Sequence, residues 1–190
     1  EILPELIPRG KDLLVLSVGG LIENEAWIQA ASESGSIIHC PSGAIAGLDA
    51  VKAAARGHIT EARITTRKPP ASLIGAPYLK ERSIDLDGLD SPRVVFDGSA
   101  REACRAFPAN INVSAALSLA GIGVDRTQVQ IIADPTIRRN IHEIEVTGDF
   151  GRIRTITENT PSANPKTSRL AALSAIALIR SLTSALRVGT

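Results

Sequence analysis

The sequence predicts an α/β protein in which a strand–helix–strand opening leads into a domain built on a mixed sheet. Three observations carry that reading. The run Leu13, Leu14, Val15, Leu16 and Val18 is continuously apolar and ends at Gly19-Gly20, as a strand buried on both faces of a parallel sheet reads. Segments with apolar residues at helical spacing alternate with it along the chain. Toward the end, "QVQIIAD" and "IHEIEVTGDFGRIRTITEN" alternate with period two and turn at Gly148 and Gly151.

After the first strand, "ENEAWIQAASESG" places Trp27, Ile28 and Ala31 at helical spacing, with Gly35 as a stop. "SIIHCPSG" follows as a short strand running into a Pro-Ser-Gly turn. This unit looks like the closing half of a nucleotide-binding sheet, and the chain has no GxGxxG turn to grip a pyrophosphate. Residues 1–41 are therefore expected to be the C-terminal remnant of a Rossmann-type domain. "AIAGLDAVKAAARG" then sets Ile45, Leu48, Val51 and Ala55 on one helical face, with Gly43 and Ala44 at the start. Free N–H groups there could bind an anion or amide, or the segment could be a plain turn.

"ITEARITTRKPP" reads as a strand ending beside Arg67-Lys68, and residues 69–93 read as a long connection. "SAREACRAFPANINVSAALSLAGIG" reads as two helices broken at Pro108, the first opened by the capping-box pair Ser99 and Glu102. Asn110 and Asn112 begin the second helix, as caps or as ligand-binding amides. The last helix carries Leu170, Leu173, Ile176, Ile179 and Leu182 on more than one face, so it should be covered by the sheet or by a second subunit. Residues 42–170 are expected to form the catalytic and dimerisation domain, and residues 171–190 a C-terminal helix that packs back on the nucleotide-binding part.

Composition narrows the function classes. Hydrophobic residues make up 44% and charged residues 22% of the 190, enough for a sizeable core, but aromatic residues are only 3%. A net charge of +1 gives no reason to expect nucleic acid or an anionic membrane as partner. Cys40 and Cys104 fit neither a metal-ligand spacing nor a disulfide framework and read as small buried hydrophobes. No basic-then-apolar leader opens the sequence and no long apolar run follows, so the expected location is cytoplasmic. No hydrolase motif such as GxSxG or HExxH is present.

"DPTIRRNIHEIEV" concentrates ionisable groups at the start of a strand, around His142. On chemistry alone a surface strand with a polar edge is the better reading than a site. Five blocks shift the balance: "PSGAIAGLDA", "TTRKPP", "FDGSAREACRAFPANINVSAALSLAGIG", "DPTIRRNIHEIEVTGDFG" and "ENTPSANPKTSRLAALSAIA". In this order the chain resembles the L-aspartate dehydrogenases over nearly its whole length. The resemblance implies NAD- or NADP-dependent oxidation of L-aspartate to iminoaspartate, which water converts to oxaloacetate and ammonia, with a link to NAD biosynthesis. It also implies a Rossmann domain paired with an α/β catalytic domain, and a homodimer.

By position in those motifs, His142 takes the active-site histidine's place, and Ala44 and Asn112 take cofactor-binding places near the nicotinamide. Lys68 and Lys166 are the candidate cations for the two substrate carboxylates, with Arg138 or Arg139 as substitutes. No metal ligand is implied, and His39 and His58 match no site position. The family's opening strand and GxGxxG turn have no counterpart here. That leaves two expectations open: a fragment of the enzyme, or a non-catalytic dimerisation or regulatory module of the same fold.

Overall fold

The computed structural model describes residues 3–109, 111–162 and 168–189. In chain order the elements are α1 (Leu3–Leu6), β1 (Leu13–Leu14), α2 (Gly19–Ile22), α3 (Ala26–Ser34), β2 (Ile38–His39), α4 (Leu48–Ala54), β3 (Ile59–Lys68), α5 (Pro77–Glu81), β4 (Arg93–Ser99), α6 (Ala100–Ala106), α7 (Asn112–Ala120), β5 (Gln128–Ala133), β6 (Asn140–Gly148), β7 (Gly151–Asn159) and α8 (Arg169–Thr183).

Strands β3 to β7 form one sheet in the order β4-β5-β3-β6-β7. Only the β3–β5 pair is parallel, so the sheet is mixed, as the sequence predicts. On one face Ala62 and Ile64 of β3 and Ile144 and Val146 of β6 join Val51 of α4 and Leu117 of α7 in a single apolar core. The other face carries crossed charge pairs such as Arg154–Glu143 at 2.7 Å and Arg152–Glu145 at 2.6 Å. These pairs are half-exposed, and each is worth about 0–1 kcal/mol. The β6–β7 hairpin turns at Gly148 and Gly151. A Cβ on Gly148 would run into the His58 carbonyl oxygen, so a glycine is needed there.

The opening differs from expectation. β1 and β2 form a two-stranded parallel sheet of their own, with Leu13 and Val15 buried but Leu14, Leu16 and Ile37 exposed. Burial on both faces needs layers on both faces, and among the described residues only one is supplied. Helix α4 starts at Leu48 rather than near Gly43, because Gly47 takes a left-handed φ of +85° and breaks the run. Ile45 is buried ahead of the helix rather than on it.

The connection at 69–93 is more structured than predicted. It holds a 3-10 turn at Pro70–Ser72 and helix α5, whose Pro77 sits in the first turn where a missing N–H costs nothing. Tyr78 packs against Phe96 and Phe107, with ring centroids 5.4 and 5.5 Å away. β4 is not anticipated either, its apolar run being only Val94, Val95 and Phe96 between Arg93 and Asp97. The capping box at Ser99 and Glu102 is present in full. Cys104 is buried, Cys40 half-buried, and both are free thiols.

Helix α8 is left largely uncovered by the sheet, one of the two expected covers. The expected cover on several sides is not provided by the described chain: Leu173 is 50% and Ile179 53% exposed, and Ala175 is the buried residue. Its N-terminus is held by the Ser168 hydroxyl, which accepts from the Ala171 N–H.

Candidate functional site

Strand pairing builds the centre of the site. Thr66 on β3 pairs with His142 on β6, and His142 pairs with Thr157 on β7, so three side chains form one row on the core-facing side of the sheet. Alternation along β6 puts His142 on the same face as Ile144 and Val146. This answers the question posed by the charged strand start: the histidine points inward and is 4% exposed, while Arg138 and Arg139 are exposed at the edge. Arg139 lies 3.5 Å from Glu158, and neither arginine lines the cavity described next.

A cavity of about 310 Å³ opens against this row. Lys68, Asn140 and His142 line it from the sheet, Asn112 from α7, and Ala171 from α8. Another wall comes from the segments that directly follow β1 and β2, including Val18 and Ala44. Both strands are parallel, and the carboxyl ends of parallel strands are where open α/β sheets take their ligands. The volume lies at the small end of ligand pockets, enough for a compact polar molecule beside one ring.

The sequence-predicted residues Ala44, Lys68, Asn112 and His142 thus share one cavity. Lys166 lies outside the described residues, and so does Asn110. His58 is exposed, and neither His58 nor His39 lines the cavity. Ala44 does not sit at a helix start as anticipated. Its turn is pinned from two sides instead: the Thr157 hydroxyl and the Asn159 amide donate to the Ala44 carbonyl at 2.8 and 2.9 Å, and the Gly43 N–H donates to the Ser174 hydroxyl at 3.0 Å. Asn112 does not cap α7. Its Oδ1 accepts from the Gly19 N–H at 3.1 Å, which fixes the amide and turns its NH₂ into the group available to a ligand.

Electrostatics distinguish the two ionisable groups. Lys68 is 4% exposed, and burial pushes its ammonium down to about 8. Burial, and then the neighbouring Lys68 charge, push His142 down to about 3. At neutral pH the cavity therefore holds a neutral imidazole beside an ammonium, a pairing suited to an anionic ligand with a proton to move. The Thr66 hydroxyl and His142 Nδ1 are 3.0 Å apart, both buried, so Nε2 is the ring nitrogen left for the cavity. The Asp134 N–H donates to the Lys68 carbonyl at 2.8 Å and anchors the end of β3.

Sequence reading missed Thr66, Asn140, Thr157 and Asn159. Alternation could have found Asn140, two residues ahead of His142 on the same face. The others needed the cross-strand register.

Comparison with known proteins gives the family. The family profile described as "Aspartate dehydrogenase, C-terminal" matches residues 49–182. L-aspartate dehydrogenase 3 of Bordetella bronchiseptica is 48% identical over 190 residues, covering all of this chain and 70% of that protein. L-aspartate dehydrogenase of Methanosarcina barkeri is 46% identical over 193 residues, covering all of this chain and 71% of that protein. The crystal structure of aspartate dehydrogenase from Thermotoga maritima superposes with a TM-score of 0.78 at 27% identity, covering 99% of this chain and 72% of that one. The chain belongs to the aspartate dehydrogenase family.

Proposed function

We propose that the protein oxidises L-aspartate to iminoaspartate with NAD or NADP, and that His142 is the acid–base group. The observation that carries this reading is the buried His142 beside Lys68 in a cavity at the carboxyl ends of β1 and β2. The residues fit a pyridine nucleotide: the pinned Ala44 turn forms cavity wall, and the fixed Asn112 amide offers donors to a carboxamide oxygen. The nicotinamide, when bound, supplies the hydride acceptor.

The chain's own residues supply the rest. Lys68, with Lys166 as its partner in the assignment, holds the substrate carboxylates through charge-assisted hydrogen bonds. Nε2 of His142 takes a proton from the substrate ammonium, which frees the nitrogen lone pair to form C=N as the Cα hydride departs. An imidazole held near 3 is a weak base in the empty cavity. Two carboxylates arriving at Lys68 offset the ammonium's repulsion and raise the ring's basicity when substrate is present. Once the imidazolium has released its proton, the neutral ring takes one from water as it adds to the iminium carbon and passes it to the nitrogen, which leaves as ammonia while the hydroxyl proton goes to solvent, giving oxaloacetate.

Residues 1–41 serve in this reading as the nicotinamide end of a dinucleotide-binding domain, residues 42–170 as the catalytic domain, and the helix beyond 171 as a segment packing back on the former. Ala171 and Ala172 line the same cavity as Leu16 and Val18, which supports the last assignment. The exposed Leu173, Ile176 and Ile179 support a homodimer, the commonest closed symmetry. Iminoaspartate as product ties the enzyme to NAD biosynthesis. A cytoplasmic location is part of the same proposal; no helix among the described residues is long and apolar enough to cross a membrane.

Aspartate-dependent reduction of NAD or NADP by the intact protein is the test. His142→Ala should lower kcat by about a hundredfold or more, the usual scale for a positioned acid–base group, with cofactor affinity little changed. Wild-type turnover in that variant would overturn the assignment. Light scattering at micromolar concentration reads the dimer, and a folded monomer there would refute it.

A further inference from the structure

We infer that Thr66 is the positioning residue for His142, and that its hydroxyl is the two-way partner that lets the imidazole exchange a proton at Nε2. This rests on the acid–base reading of His142 above. Thr66 is 3% exposed, lies directly across the strand pair from His142, and places Oγ1 3.0 Å from Nδ1. Along β3 the inward positions run Ala62, Ile64, Thr66 and Lys68, and all four are buried, so Thr66 is the point where the apolar core gives way to the polar site. Among the described residues the imidazole is the one partner of that hydroxyl. A buried hydroxyl at that place either serves the ring or is lost as an unsatisfied polar group.

The chemistry of the partner matters. A carboxylate at this position could only accept from Nδ1–H, and its charge would favour the imidazolium. A backbone carbonyl would likewise only accept. A hydroxyl donates to a bare Nδ1 while Nε2 carries the proton, and accepts from Nδ1–H when Nε2 is bare or the ring is cationic. Nδ1 therefore keeps a partner through each protonation state that acid–base work at Nε2 passes through. The same bond fixes the ring plane, so Nε2 stays aimed at the cavity rather than rotating about χ2.

Two variants test this, Thr66→Val, which keeps the shape and removes the hydroxyl, and Thr66→Ser, which keeps the hydroxyl. Thr66→Val should lower kcat roughly 10- to 100-fold, the range that loss of one buried hydrogen bond supports, with KM for the nucleotide unchanged. Thr66→Ser should recover most of it. Nitrogen-15 spectra of the imidazoles give a readout independent of turnover, with His142 identified by its absence in His142→Asn. The His142 Nδ1 resonance should carry the displacement of a hydrogen-bonded nitrogen in wild type and Thr66→Ser, and lose it in Thr66→Val. Unchanged kcat in Thr66→Val, or an Nδ1 resonance indifferent to the substitution, overturns the inference. If His142→Ala is fully active, the acid–base reading fails instead, and the spectra still report whether Thr66 holds the ring.

Discussion

Replacing His142 with Asn should make the protein less sensitive to acid. An imidazole titrates at 6.5 when unperturbed, and burial plus the Lys68 charge hold the folded value near 3. Between those values the unfolded chain binds a proton that the folded chain refuses, so stability rises with pH across this window and falls as the medium is acidified. At pH 7 the unfolded ring is mostly neutral and the penalty is small. At pH 5 the unfolded ring is almost fully protonated, and the 1.5-unit gap to 6.5 corresponds to about 2 kcal/mol. Any folded value below about 4 gives the same figure at pH 5, so the prediction does not hinge on how deep the shift runs.

Asn keeps a side-chain amide within reach of Thr66 and cannot titrate. Its packing cost applies equally at both pH values and cancels in the comparison. Urea unfolding of wild type and variant at pH 5 and pH 7 is the assay. The wild type should lose about 2 kcal/mol more than His142→Asn on going from pH 7 to pH 5, roughly 1 M in urea midpoint for a slope of about 2 kcal/mol/M. Parallel losses would refute the reasoning, since they would mean the ring titrates as if in water or shares its site with an anion.

Other outcomes follow from the same structure. Lys68→Met should raise KM for aspartate about 10- to 100-fold while leaving nucleotide affinity near wild type, as steady-state kinetics would show, because a buried charge-assisted hydrogen bond contributes about 1.5–3 kcal/mol. In the wild type, KM for aspartate should rise as pH passes above about 8, where the lowered Lys68 ammonium gives up its charge. Phe107→Ala should cost about 3–5 kcal/mol in thermal or urea unfolding, because the ring is fully buried between Tyr78 and Phe96.

The sequence by itself determined what depends on near neighbours in the chain. Ser99 and Glu102 announce their helix because a capping box closes within one turn. Gly148 and Gly151 announce the β6–β7 hairpin because the turn and the period-two pattern are both local. His142, Lys68, Asn112 and Ala44 were legible through ordered motifs, although no local signal says that residues up to 98 apart in sequence share one cavity.

The tertiary structure alone decided the rest. Helix α5 was hidden in a Pro- and Gly-rich stretch because five residues are too few to show periodicity, and its stability comes from Tyr78 meeting Phe96 and Phe107. Asn112 looked like a cap and instead receives the Gly19 N–H across 93 residues. Ala44 looked like a helix start, but the left-handed Gly47 moved that start to Leu48 and left its turn to be pinned by β7 and α8. Thr66 had no visible reason to matter until β3 and β6 paired. Strand alternation tells which face a side chain takes, but the register between strands 76 residues apart is set by core packing across the whole sheet, and that register places the Thr66 hydroxyl against the His142 ring.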